Sequence, residues 1–276
     1  MIETRVAALA DEAAIRRMLK RAARLPVQNW YWEDHFGQEA FQLALVDGRP
    51  VGALLAWVDV PPVAWIRLAV LMPAVTVNEW LDRSLPPITA ALRRQGARWL
   101  GWMDAGGWAG SALARRGFNS QTRLVTMVKS DRFLPPMSGT DIGVRSIQVS
   151  DMADLLRIDR AAFTPPWWLS EETLNRMRSE SICFLLAERE GRSVGYAEAR
   201  LTRYGAHIGR LAVMPVLQGQ GIGQRLLRET LRLLWQHEVA QVTLNTQEAN
   251  RTSRKLYHRL GFHSHGRRIA VWERGL

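Results

Sequence analysis

The stretch Ile208-Gly-Arg-Leu-Ala-Val-Met214-Pro215-Val-Leu-Gln218-Gly-Gln-Gly221-Ile-Gly223 decides how this chain is read. Its first half is a short apolar run that predicts a strand, and Pro215 ends it because proline has no N–H to give a sheet ladder. Its second half opens a helix from about Gly221 to His237, in which Ile222, Leu226, Leu227, Leu231 and Leu234 make one apolar stripe. The start of a helix leaves backbone N–H groups unpaired and carries partial positive charge, so it attracts phosphate. Glycines at 219, 221 and 223 let the main chain come close to a bulky anion and take up positive φ. The outline is that of a pyrophosphate cradle. Two other glycine loops are disfavoured: a dinucleotide fingerprint starting at Gly219 needs glycine at 224, where Gln224 stands, and a P-loop needs Gly-Lys-Ser/Thr, which is absent.

Around this stretch the coarse pattern is regular. A helix near Asp151 to Phe163, a Pro- and Trp-rich loop and a helix near Ser170 to Ser179 precede two strands that turn at Glu190-Gly191-Arg192. After the long helix come a strand from Gln241 to Asn245, a helix from Asn250 to Leu260 and terminal strands to Trp272, an α/β layout around a mixed sheet.

The chain also repeats itself. Phe41-Gln-Leu-Ala-Leu-Val-Asp-Gly-Arg-Pro-Val-Gly52 and Phe184-Leu-Leu-Ala-Glu-Arg-Glu-Gly-Arg-Ser-Val-Gly195 share seven of twelve positions, 143 residues apart. The same offset carries Arg67-Leu-Ala-Val70 onto Arg210-Leu-Ala-Val213, and Arg116-Gly-Phe118 resembles Leu260-Gly-Phe262 at an offset of 144. Two copies of one domain are therefore expected, at 1–134 and 143–276, joined by a Pro/Gly-containing linker at 135–142.

The motif Gln218-Gly-Gln-Gly221-Ile-Gly223 matches the Q/R-x-x-G-x-G/A signature of the GNAT acetyltransferase superfamily. Leu211-Ala-Val213 and Pro215 before it, and Asn250-x-x-Ser253-x-x-Leu256-Tyr257-x-x-Leu260-Gly-Phe262 after it, extend the resemblance over nearly the whole second half. It implies a tandem protein of α/β (α+β) class, each domain a mixed, mostly antiparallel sheet flanked by helices, with acetyl-CoA as co-substrate. It also implies that backbone groups of Leu211, Ala212 and Val213 meet the pantetheine arm, which would lie like an added strand where the sheet splays. The amides of Gln218, Gly219, Gln220, Gly221, Ile222 and Gly223 would hold the pyrophosphate, with Asn250 and Ser253 also on the cofactor side. The tyrosine matching Tyr257 commonly protonates the leaving sulfur, and a phenol near pKa 10 can serve a thiol near about 8.5. Tyr257 as a packing aromatic is the alternative.

The base is less sharply marked. Relatives such as the ribosomal-protein N-terminal acetyltransferases carry a glutamate on the strand before the last helix, where this chain has Asn245. Glu198 and Glu248 are the candidates, each with a solvated charge as the plainer reading. Loss of that glutamate matters less for an α-amine, near pKa 8, than for a lysine near about 10.4, so a weakly basic amine is the expected acceptor. Ala161-Ala-Phe163-Thr-Pro-Pro-Trp167-Trp168 resembles the acceptor loop of the same relatives, which makes Trp167 and Trp168 candidates for the acceptor pocket or for covers over the core.

The first copy lacks the cradle. Pro73-Ala-Val-Thr-Val-Asn-Glu79-Trp-Leu-Asp82 has no glycine, its two carboxylates would repel phosphate, and Leu113 stands opposite Tyr257. That copy is expected to bind no coenzyme and to act as a built-in partner, an arrangement like that of the mycothiol synthases; an intramolecular pseudo-dimer in a monomeric chain follows.

Bulk properties agree with a folded protein: 276 residues, 47% apolar and 23% charged. No uncharged run is long enough for a membrane span and Met1 to Arg24 does not read as a secretory signal, so a cytoplasmic protein is expected. The net charge of +11 comes from scattered arginines, with no nucleic-acid motif to organise them, and nucleic acid is not an expected partner. Cys183, the one cysteine, is expected as a buried apolar side chain, and His263 and His265 lack the further ligands a zinc site needs. The leading reading is an N-acetyltransferase passing acetyl to a peptide α-amine or a small-molecule amine. A coenzyme-binding regulatory module with little turnover is the alternative.

Overall fold

The computed structural model describes residues 1–22, 24, 27–28, 31–136, 141–266 and 268–276. Its elements in chain order are β1 (Ile2–Val6), α1 (Glu12–Arg21), β2 (Val27–Gln28), β3 (Phe41–Val46), β4 (Arg49–Val60), β5 (Val63–Leu71), α2 (Val77–Arg94), β6 (Trp99–Asp104), α3 (Gly110–Ala114), β7 (Asn119–Lys129), β8 (Gly143–Ser146), α4 (Met152–Ala162), α5 (Glu171–Glu180), β9 (Cys183–Arg189), β10 (Arg192–Thr202), β11 (Gly205–Val213), α6 (Ile222–Gln236), β12 (Val242–Gln247), α7 (Arg251–Arg259), β13 (His263–Ser264) and β14 (Ile269–Gly275). They form two compact units, Met1–Arg123 with Arg268–Leu276, and Leu124–Arg267.

The units repeat one topology. In the first, β1, β3, β4 and β5 pair antiparallel in that order, β5 pairs parallel with β6, and β6 pairs antiparallel with β14. In the second, β8, β9, β10 and β11 are antiparallel neighbours, β11 pairs parallel with β12, and β12 pairs antiparallel with β7. The duplication is visible in the register: Phe41↔Leu55 and Ala64↔Leu100 recur as Phe184↔Glu198 and His207↔Thr243, each 143 residues on.

The units depart from the sequential segments 1–134 and 143–276 at their last strands. From Leu124 onward, β7 belongs to the second unit, and β14 to the first. Both strands follow equivalent Gly-Phe corners and carry similar apolar faces, so hydrophobic pattern suits either sheet. Of the linker expected at 135–142, residues 137–140 lie outside the described residues.

In the second unit the stripe Ile222, Leu226, Leu227, Leu231 and Leu234 is buried to 1% exposure or less against Leu185, Ala197, Ile208 and Leu244. At about 25 cal/mol per Å² of apolar surface, such a stripe anchors the helix far more strongly than propensity does. The other face of that sheet is covered by α4 and α5 through Leu155, Ile158 and Leu174. The hairpin predicted at Glu190-Gly191 is present, both residues taking positive φ, 52° and 70°, as a two-residue turn matching strand twist requires. Cys183 is buried and its thiol is pushed up to about 11, chiefly by burial. Among the described residues no helix is long and apolar enough to cross a membrane, and no cluster of metal-ligating side chains occurs.

Candidate active site

The second unit's sheet opens into a fork. Strand β11 pairs with β10 from Gly205 to Val213, but with β12 only at Ala206↔Val242, His207↔Thr243 and Ile208↔Leu244. Beyond Ile208 the two strands part, and among the described residues no strand pairs with that edge of β11. Leu211, Ala212 and Val213 therefore lie beside an open edge, which suits an extended ligand that adds like a strand. A bulge between Glu198 and Ala199 skips Gly209 and reinforces the divergence.

At the open end of the fork the chain turns through a short 3-10 turn, Pro215–Leu217, into α6. Gly219 and Gly221 take φ of 79° and 86°, and Gly221 is the residue that caps α6, with no side-chain bond to its first amides. Only glycine adopts this left-handed geometry without strain. The first amides of the helix thus have no side-chain cap, and space within 4 Å of a Cβ on Gly219 is empty, as a phosphate cradle requires. The Ile222 side chain is buried in the core, which leaves only its amide to meet an anion. Gln218 is tied back by Nε2 to the Val213 carbonyl at 3.2 Å, and Gln220 accepts from Arg189 at 2.6 Å. These residues fit coenzyme A: they would hold its diphosphate at α6 and its pantetheine arm along β11.

Helix α7 closes on this corner, with Leu256 set so tightly that a Cβ on Gly223 would meet it at 3.3 Å. Asn250 serves as the helix cap, accepting from the Ser253 amide at 3.0 Å. Tyr257 is buried, 7% exposed, edge-on to Phe262, rather than resting on the helix surface. Burial pushes its phenol up to about 12, a Ser253 hydrogen bond opposing the rise, so it is a proton-bearing group throughout the physiological range.

Glu198 is 1% exposed, on the α4 face of β10. Its Oε1 accepts from the Ser181 hydroxyl at 2.7 Å, and its Oε2 packs against Gly209 at the bulge. Burial holds its carboxyl above the ordinary glutamate range, against the opposing Ser181 hydrogen bond and the charges of Arg200 and Arg210. The solvated reading of this side chain is corrected by that burial. The structure does not bring Asn245 to this cluster: its Oδ1 accepts from Thr126 at 2.8 Å on the neighbouring strand.

A second buried group lies beside it and was not legible as such. Asp159 of α4, fully buried, accepts from Arg210 Nε and Nη2 at 2.9 and 2.7 Å, from the Tyr196 hydroxyl, and from the Leu169 amide at 3.1 Å. Arg210 also donates to the Trp167 carbonyl at 2.5 Å and stacks over Phe163 at 3.6 Å. The 163–169 loop is thereby pinned to the sheet by a charge pair that would be costly to break on one side. Asp159 interrupts the apolar stripe of Leu155 and Ile158, and a charge in such a stripe is the signal that could have found it. Trp167 and Trp168 are both half-buried, and Trp168 donates to the Phe163 carbonyl at 2.8 Å while Arg160 lies over its ring.

The first unit has the same fork, filled. Its β5 leaves β6 after Trp65↔Gly101, and β2 pairs with β5 at Gln28↔Leu68 and Val27↔Ala69. Because β4 occupies one edge of β5 throughout, β2 takes the edge facing the fork, where Leu68 and Ala69 match Leu211 and Ala212. Helix α2 begins with a capping box: Thr76 Oγ1 accepts from the Glu79 amide and the Glu79 carboxylate accepts from the Thr76 amide, both at 3.2 Å. Trp80 stands where the second copy has Gly223 and packs, fully buried, against Trp102 and Trp108. A cleft of about 360 Å³ at this corner is lined by Thr76, Glu79, Trp108 and Arg115, so a carboxylate borders the place of the phosphate.

Comparison with known proteins agrees with this geometry. The model of the Acetyltransferase (GNAT) family matches residues 152–262. An uncharacterized N-acetyltransferase of Methanocaldococcus jannaschii is 31% identical over 122 residues, 43% of this chain and 76% of that protein. A putative [ribosomal protein bS18]-alanine N-acetyltransferase of Bacillus subtilis is 24% identical over 127 residues, 46% of this chain and 84% of its own length. A mycothiol acetyltransferase of Acidothermus cellulolyticus is 29% identical over 219 residues, 68% of this chain and 65% of that protein. In fold, the tandem GNAT protein from the clavulanic acid biosynthesis pathway superposes with a TM-score of 0.70 at 15% identity, covering 100% of this chain and 98% of that one. With the signature, the fork and the cradle in one unit, the chain belongs to the GNAT acetyltransferase family as a tandem-fold, acetyl-CoA-dependent acyltransferase.

Proposed function

We propose that the second unit acetylates a primary amine, a peptide α-amine or a small-molecule amine, by direct attack while both substrates are bound. The reading is carried by one observation: an open sheet edge ends at a helix start whose amides have no side-chain cap, with a buried carboxylate and a buried phenol in the same unit. Bound acetyl-CoA supplies the thioester carbon. Glu198, desolvated and so readier to take a proton than an ordinary glutamate, removes the proton of the attacking amine, and Tyr257 gives its proton to the departing sulfur. The new C–N bond replaces the C–S bond, and the proton on Glu198 returns to Tyr257 through solvent. The Asp159–Arg210 pair holds the 163–169 loop as one wall of the acceptor site. The relatives named for an alanine of ribosomal protein bS18 and for mycothiol support an amine acceptor in either size class.

The first unit is proposed as a non-catalytic partner domain, with its fork filled by its own strand. The test is to incubate the protein with acetyl-CoA and a panel of small amines, N-terminal peptides and lysine side-chain amines while following free thiol. Thiol release with weakly basic amines is expected. Release only with lysine side chains would overturn the acceptor class, and binding without release would favour the regulatory module.

A further inference from the structure

His207 was no part of the sequence-based site. It lies on β11 at the second of the three β12 rungs, just before the strands part, and its Cα partner on β10 is Arg200. Cross-strand partners point to the same face, and Glu198 is two residues from Arg200 on the same strand, so His207 shares the face of Glu198. Its Nδ1 lies 2.9 Å from Thr243 Oγ1. The same hydroxyl lies 3.2 Å from the Ala206 carbonyl. With its one proton on that carbonyl, Thr243 accepts from the ring, and the tautomer that uses both contacts has Nδ1 as the N–H and Nε2 unprotonated.

Of the charged groups near the ring, Arg200 favours the neutral form, whereas an ionised Glu198 would favour the imidazolium. Arg200 and Glu198 face it from β10, Thr243 is its uncharged neighbour on β12, and on its own strand Arg210 is bound to Asp159 of α4. Burial pushes the imidazole down to about 4, with the Arg200 charge adding to the effect. At the same positions of the first copy stand Leu55, Ala64 and Leu100 in place of Glu198, His207 and Thr243. The polar set exists only in the copy with the cradle.

We propose that His207 is the hydrogen-bond acceptor that orients the incoming amine, presenting an unprotonated Nε2 to its N–H on the face of the fork shared with Glu198. The proposal rests on the amine-transfer reading above and gives the acceptor site a specificity: a neutral primary amine has two N–H groups, one for Glu198 and one for Nε2, whereas a secondary amine has only the one that Glu198 takes. No bond is made or broken at His207. The proton is taken by Glu198.

The test combines nitrogen-15 NMR of the imidazoles with kinetics of three proteins, wild type, His207→Phe and His207→Gln, using alaninamide as the probe amine. At pH 7 the His207 ring is expected as the neutral Nδ1–H form, with Nε2 shifting when alaninamide is added. In His207→Phe, kcat/KM for the amine should fall about 10- to 100-fold, mostly through KM, with coenzyme affinity within twofold of wild type. Glutamine, whose side-chain carbonyl restores an acceptor near Nε2, should recover most of the loss. An Nε2–H tautomer, an imidazolium at pH 7, or His207→Phe kinetics within twofold of wild type would overturn the proposal. Absence of transfer in the wild type would instead refute the underlying reading, and the alaninamide shift would then decide the role of His207 by itself.

Discussion

The two helix starts that follow the forks, at Gly219-Gln-Gly221 and at Thr76-Val-Asn-Glu79, differ in where their amides go. In the second unit the turn is made of glycines at positive φ, and no side chain caps α6. In the first, Thr76 and Glu79 satisfy each other's amides, β2 pairs along the open edge, and Trp80 fills the place of a glycine. A fold can thus keep its topology and register while one copy leaves its first helix amides without a side-chain cap and the other satisfies them internally. On the proposed function, that accounting rather than the fold decides which copy can bind a ligand.

The comparison can be broken at several points. The largest effect is expected at Glu198: Glu198→Gln should lower kcat/KM by about 10²- to 10⁴-fold and remove the acid limb of its pH profile. Because burial raises this carboxyl, activity in the wild type should fall as pH drops through a value above the ordinary glutamate range. The same sign governs stability. A carboxyl whose folded-state value is raised is disfavoured once ionised, so Glu198→Gln should be at least as stable as wild type at pH 8 by thermal unfolding. A variant that loses activity through unfolding would contradict this.

In the first unit, Trp80→Ala should cost about 3–5 kcal/mol of stability through the cavity it leaves, with no second coenzyme site gained, since β2 and Glu79 remain. A second bound coenzyme would show that the indole alone closes the site. Tyr257→Phe should reduce kcat by about 10- to 100-fold and leave coenzyme affinity unchanged, because the ring still packs on Phe262. The smallest effect is expected for Thr76→Ala, about 1 kcal/mol for the lost cap, with coenzyme binding unaltered.

Much of this was legible in the residues. The 143-residue offset gave the duplication, the apolar stripe of α6 its buried face, and the glycines the left-handed turn ahead of α6, because each is a local periodicity or a local backbone demand. The exchange of β7 and β14 was not legible: a strand's alternation says which face is buried, and two sheets of one fold present the same edge. Nor was the filling of the first fork by Val27–Gln28, a segment of two residues with no periodicity. Glu198 could be named from its strand, but its burial depends on Ser181 and Gly209. The Asp159–Arg210 pair joins residues 51 apart in the chain, and His207 is defined by a hydroxyl on another strand. Such groups acquire their chemistry from packing.

The most direct test of the account is a calorimetric titration of coenzyme A into the wild type, Gly221→Val and Thr76→Ala. One coenzyme per chain is predicted for wild type and Thr76→Ala, and an affinity at least about 100-fold weaker for Gly221→Val, since valine at this left-handed position withdraws the amides from the diphosphate. Two coenzymes per chain, or undiminished binding in Gly221→Val, would contradict it.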